Sequence, residues 1–229
     1  MSIKNSKAIN EEPRFIVVEG PIGVGKTSLA KRLAESLSGN LILEEVESNP
    51  FMDRFYQDGH GGSLPAQLFF LFQRAKKLES MRQSDLFSSI NIADFHIEKD
   101  KLFASVNLDP SELSLYEQIY EKMDIKKSIP DLVIYLQASP DILLHRIAHR
   151  GVETEKFIDR NYLERLVETF ASHYHNYNES PLLIVNTTSI DIINNEEDYD
   201  QLLTFCLIHE KPTAASGLKK CLPTVVDKI

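Results

Sequence analysis

Gly20-Pro21-Ile22-Gly23-Val24-Gly25-Lys26-Thr27 gathers glycines, a lysine and a hydroxyl in one short stretch. Glycine lets the backbone curl until successive N–H groups converge on an anion. A lysine after the last glycine reaches the β- and γ-phosphates of a nucleotide, and the hydroxyl beside it can bind Mg²⁺. The expected chemistry is therefore phosphate binding, with Gly20, Gly23, Gly25, Lys26 and Thr27 holding ATP and Thr27 on the metal. Such a pattern means little without a strand before it and a helix after it. Here Phe15–Glu19 is a short apolar run, and apolar residues recur helically from Lys26 through Leu29, Leu33 and Leu37. The helix N-terminus adds its partial positive charge to the loop. A phosphate loop does not separate kinases from GTPases, ATPases or motors, so the second substrate must be sought elsewhere in the chain.

The elements that would position such residues alternate. Strands are expected at Phe15–Glu19, Leu41–Glu45, Ser89–Ala93, Asp131–Leu136 and Leu182–Val185. Helices are expected from Lys26 to a stop at Gly39, as a turn containing Phe51, Phe55 and Tyr56, and as a long segment opening at Pro65-Ala66. The middle of that segment, Leu68–Phe72, is apolar all round, which predicts burial on more than one side. The Gly59–Gly62 stretch separates the aromatic turn from it. Further helices are expected from Ser111 to about Met123, from the Ser139 cap and Pro140 to Gly151, over Arg160–Tyr177 and over Tyr199–His209. Residues 1–13 read as a flexible N-terminus, 14–209 as one domain and 210–229 as a tail. This alternation predicts an α/β fold: about five parallel strands, helices on both faces, and ligands at the carboxyl ends of the strands. Glu19, Glu44-Glu45 and Asp94 all fall at such ends.

The bulk numbers narrow the partners. The chain has 229 residues, 42% hydrophobic and 26% charged, enough for one substantial domain. A net charge of −9 argues against nucleic acid held through its phosphates, which needs clustered lysine and arginine. Cys206 and Cys221 form neither a disulfide framework nor a metal spacing, and no signal peptide is evident, so a cytoplasmic location is expected. No apolar run approaches the roughly 18 residues of a membrane helix. His145 and His149 lack a third ligand and read as lid surface; His173 and His175 read as solvated helix-end residues.

Over residues 14–209 the chain resembles the deoxycytidine/deoxyadenosine/deoxyguanosine kinase family. Glu44-Glu45-Val46 matches the family's Glu-Pro-Val, and Asn49-Pro50-Phe51 follows as in bacterial members. The resemblance implies that Glu44 is the base for a nucleoside 5′-hydroxyl, with Glu45 standing where the family has proline. Gln67 and Arg74 keep the seven-residue spacing of the family's base-binding pair, two helical turns apart on one face. Asp100 matches the acid that pairs with this arginine. Tyr56 and Glu155 match contacts to the sugar 3′-hydroxyl, and Phe103 the ring that stacks on the base. Leu136-Gln137-Ala138-Ser139-Pro140 and Leu144-His145-Arg146-Ile147 resemble the lid near 146–156. There Arg146 and Arg150, four residues apart, would close on the transferring phosphate. Asp94 keeps the acidic position expected to bind Mg²⁺. The implied substrate is a deoxynucleoside other than thymidine, more in line with a purine, and a homodimer through the helices around 66–82 and 111–123 is implied as well.

Two family arginines are missing. The third strand ends Asp94-Phe95-His96 where the family has arginine after the acid, and Val152 replaces a lid arginine. Each lost contact is worth on the order of 2–4 kcal/mol at a transition state. Lys99, Lys101 and Lys156 are the cations that stand near enough in sequence to compensate. The alternative expectation is a nucleotide-binding regulatory protein of the same fold with weak or no kinase activity.

Overall fold

A computed structural model describes residues 14–57, 63–84, 90–208 and 225–226. The expected N-terminus, the Gly59–Gly62 break, Ser89, His209 and most of the tail lie outside these residues. The described chain runs β1 (Arg14–Glu19), α1 (Lys26–Ser36), β2 (Asn40–Ile42), α2 (Met52–Gln57), α3 (Ser63–Ser84), β3 (Ile90–Ala93), α4 (Glu98–Asn107), α5 (Pro110–Lys122), β4 (Leu132–Gln137), α6 (Pro140–Arg150), α7 (Arg160–His175), β5 (Leu182–Asn186), α8 (Glu196–Ile208) and β6 (Val225–Val226). Short 3₁₀ turns occupy Val46–Ser48 and Glu153–Phe157.

All strands are parallel, in the order β2-β3-β1-β4-β5-β6. The five expected strands are present, and the two-residue β6 pairs alongside β5 from within the segment expected to be a tail. β1 and β4 form the centre; Ile16, Val17, Val18, Val133, Ile134 and Leu136 are wholly buried, as uninterrupted apolar strands between helical layers must be. Leu29, Ala30, Leu33 and Ala34 bury one face of α1. Leu163, Leu166, Phe170 and Tyr174 do the same for α7 at helical spacing, with Tyr174 stacked on Tyr135 at 4.6 Å.

Several expectations change at element ends. α1 stops at Ser36, short of Gly39; Ser38 takes the left-handed conformation, and a Cβ on Gly39 would sit 2.8 Å from Ile92 Cδ1. β2 ends at Ile42, so Glu44 and Glu45 lie beyond the strand. α5 begins at Pro110 with Asp109 as its cap, because Asp109 and Glu112 form a reciprocal capping box. Phe72, expected to be covered, is 54% exposed on α3. His173 is half-buried against the Tyr174 and Tyr177 rings rather than solvated, and burial lowers its pKa. α4 is not among the expected helices: its buried residues mix Glu98, Lys99, Asp100 and Asn107 with Leu102 and Ala104, which blurs its apolar period.

The order places the crossing point of the chain at β3-β1-β4, where helices leave the sheet in different directions. The carboxyl ends of β1 and β3 meet there, and a crevice at such a point is where open α/β sheets bind ligands.

Candidate active site

The loop after β1 is fitted to its neighbours. Gly20 has φ +148°, and a Cβ there would lie 2.5 Å from the Leu136 carbonyl oxygen at the end of β4. Gly23, at φ +81°, would meet Ile147 of α6 at 2.8 Å. Only glycine lets the backbone pass so close to both elements. Gly25 then caps α1, and Lys26 opens it, its Nζ donating to the Pro21 carbonyl at 2.9 Å. Burial, reinforced by the nearby Lys99 charge, brings the Lys26 ammonium down to about 8.

Two cavities adjoin at this loop. A wide one of about 640 Å³ lies between the loop, α6 and residues 187–194 after β5; a narrower one of about 130 Å³ runs under α2, α3 and α4. Gly23, Lys26, Thr27 and Arg150 line both. A phosphate chain crossing from one cavity to the other must pass these four residues.

The narrow cavity collects most of the residues that the sequence singled out: Tyr56, Gln67, Arg74, Phe103 and Glu155 on its walls, Glu44 and Asp94 near the loop. They arrive from α2, α3, α4, the 3₁₀ turn at Glu153–Phe157 and the segments beyond β2 and β3. Glu44 is the carboxylate that faces inward, with its side chain 8% exposed; Glu45 turns outward, 64% exposed, to pair with Lys77. Both oxygens of Glu44 are engaged. Arg74 Nη2 donates to Oε1, and Lys99 Nζ donates to Oε2 at 2.7 Å. Burial alone would raise the Glu44 pKa, but Arg74, Lys99 and Lys26 outweigh it and hold the carboxyl at about 2.

Asp100 sits behind this layer. It is completely buried, accepts from Arg74 Nη1, and does not line the cavity, so it acts on a ligand only through Arg74. Burial pushes Asp100 up to about 6, whereas its charge and that of Glu44 keep Arg74 firmly protonated. Glu19, also fully buried, accepts the backbone N–H groups of Gly20 and His96. Burial raises its pKa against the pull of Lys99 and Lys26.

Asp94 joins the loop to the segment that carries Glu44. Its Oδ2 accepts the Thr27 hydroxyl at 2.5 Å and its Oδ1 accepts the Glu44 N–H at 2.8 Å. A hydroxyl and a carboxylate placed together are hard oxygen donors of the kind Mg²⁺ takes alongside substrate phosphates, so these residues fit that ion.

The lid arginines part company. Arg150 grips Glu155 through Nε and Nη2, at 3.1 and 2.7 Å, where both cavities meet. Arg146 faces only the wide cavity, its guanidinium donating to the Val24 and Thr187 carbonyls and to Thr187 Oγ1. Neither missing arginine leaves a gap at the site: Phe95 is 1% exposed in the core, and Val152 is at the surface. Glu19 and Phe70 belong to the site without having been assigned to it from the sequence. Of the three lysines named as able to compensate for the missing arginines, Lys99 is the one that lines the narrow cavity.

A family profile described as deoxynucleoside kinase matches residues 16–207. The chain belongs to the deoxynucleoside kinase family. This kinase is 37% identical over 195 residues to a deoxyguanosine kinase of Bacillus subtilis (strain 168), covering 82% of this chain and 93% of that one. It is 31% identical over 206 residues to a deoxyadenosine kinase of Lactobacillus acidophilus, covering 83% and 93%. A solved deoxyadenosine kinase from M. mycoides with bound dATP has the same fold, with a TM-score of 0.74 at 24% identity over 84% of this chain and 99% of that one. These likenesses are to kinases and lend no support to the regulatory alternative. No helix among the described residues is long and apolar enough to cross a membrane.

Proposed function

We propose that this kinase transfers the γ-phosphate of ATP, with Mg²⁺, to the 5′-hydroxyl of a purine deoxynucleoside, deoxyguanosine or deoxyadenosine, with deoxycytidine as the weaker candidate. The observation that carries the proposal is the junction of the two cavities. Lys26 and Arg150 stand where donor and acceptor must meet, and the Glu44 carboxylate lies on the acceptor side of them. The names of the relatives at 37% and 31% identity favour a purine.

In this reading the wide cavity takes the nucleotide and the narrow one the nucleoside. Gln67 meets the edge of the base with an amide that donates and accepts, Arg74 adds its charge, and Phe103 stacks on the ring. Tyr56 and Glu155 hold the sugar. The 5′-oxygen attacks the γ-phosphorus as its bond to the β-phosphate oxygen breaks, and Glu44 accepts the hydroxyl proton. Lys26 and Arg150 neutralise the charge on the transferring group. Thr27 and Asp94 would hold Mg²⁺, which supplies charge neutralisation on the β- and γ-phosphates. The product is a deoxynucleoside monophosphate, the chemistry of salvage, performed in the cytoplasm. Residues 14–209 would act as one kinase domain with a lid near 146–156. A homodimer through α3 and α5 would cover Phe72 and Leu115, which are 54% and 47% exposed in the single chain.

Radiolabelled phosphate transfer from ATP to each of the four deoxynucleosides tests the proposal directly. Transfer to a purine deoxynucleoside is expected, with kcat falling about 10³-fold in Glu44→Gln. No transfer to any of the four would overturn the activity. Thymidine as the best substrate would overturn the specificity, and an unchanged rate in the variant would remove Glu44 as the base.

A further inference from the structure

Of the lysines near enough in sequence to compensate for the missing arginines, Lys99 is the one that lines the acceptor cavity. It stands in the first turn of α4 with its side chain 5% exposed, an ammonium almost removed from water. It donates to Glu44 Oε2 at 2.7 Å and lies 5.5 Å above the Phe103 ring. It also acts on Glu19, which precedes the phosphate loop, and on Lys26 within it. A buried lysine is sustained by facing carboxylates, and here those carboxylates belong to the acceptor and donor sides of the site.

Resting on the kinase reading above, we propose that Lys99 is a positioning residue that fixes the Glu44 carboxylate toward the nucleoside hydroxyl and supplies, from α4, the positive charge absent at Phe95. Arg74 alone is an insufficient clamp. It holds one oxygen of Glu44, is itself tied to Asp100, and leaves the carboxyl free to rotate about that contact. Lys99 on the other oxygen sets the rotation. A carboxylate has about four lone-pair sites, so each oxygen keeps one for the incoming proton.

A group that places the base moves kcat and leaves binding alone, and another cation of similar reach restores it. The full chain and its Lys99→Met, Lys99→Gln and Lys99→Arg variants are compared for kcat and for both KM values, with thermal melting as the check on folding. Lys99→Met and Lys99→Gln are expected to lose about 10²-fold in kcat, with little change in KM for ATP. Lys99→Arg should recover most of the rate. A folded neutral variant with the original kcat, or one whose loss falls on KM instead of kcat, overturns the proposal, as does Lys99→Arg failing as badly as Lys99→Met. Should Lys99→Met not fold, Lys99→Gln decides. Inactivity of the unsubstituted protein on all four deoxynucleosides overturns the kinase reading, and Lys99 with it; normal activity with unmoved variants overturns Lys99 alone.

Discussion

The two cavities that meet at Lys26 hold their charges differently. In the wide cavity, framed by the loop, α6 and residues 187–194, Arg146 is tied to the main-chain carbonyls of Val24 and Thr187. The narrow cavity is lined by side chains whose charges oppose one another, with Glu44, Arg74 and Lys99 in contact and Asp100 behind. A charge held by main-chain carbonyls tolerates substitution of neighbouring side chains because those groups come with the fold. A site made of paired buried charges does not, since each member keeps another from being stranded.

Arg74→Ala is the sharpest way to break the comparison. It leaves Glu44 and Asp100 without their shared partner, so a stability loss of about 3–5 kcal/mol in denaturant unfolding is expected, together with loss of transfer to every nucleoside. Unchanged stability would mean that the acceptor cavity is no more interdependent than its neighbour. Arg146→Ala should be milder and confined to the donor side. The expected rise is about 10-fold in KM for ATP, with KM for the deoxynucleoside and the melting temperature nearly unchanged; a selective effect on the nucleoside would erase the division between the cavities. The smallest effect is a pH dependence. Lys26 sits at about 8 when no nucleotide is bound, so it is charged below that pH and loses its proton above it. KM for ATP should therefore rise as pH passes upward through about 8, while Glu44, held near 2, stays ionised throughout and adds no change of its own. A KM for ATP that is flat to pH 9 would remove Lys26 as the titrating group.

The same contrast governs what could be read from sequence. The donor site is a contiguous stretch between a strand and a helix, and its local chemistry identifies it; the sheet was legible for a similar reason, because buried parallel strands are nearly continuous apolar runs. The acceptor site comes from segments far apart in sequence. Glu44, Gln67, Arg74 and Asp100 were found by their match to a family pattern, and periodicity alone would have left them as polar surface residues. α4 stayed hidden because it turns Glu98, Lys99 and Asp100 inward, inverting the pattern by which a helix shows its buried face. Arg146 and Arg150 share a face of α6, yet Arg146 lines only the wide cavity whereas Arg150 lines both.

The chain of contacts from Asp100 through Arg74 and Glu44 to Lys99 limits how this sequence can drift. A change at any one link strands a neighbour that water cannot reach, so viable descendants must alter two links together or first acquire a new partner for the one left behind. Attempts to retune the preferred base should begin with paired substitutions, because the single ones will be removed for instability before their selectivity can be seen.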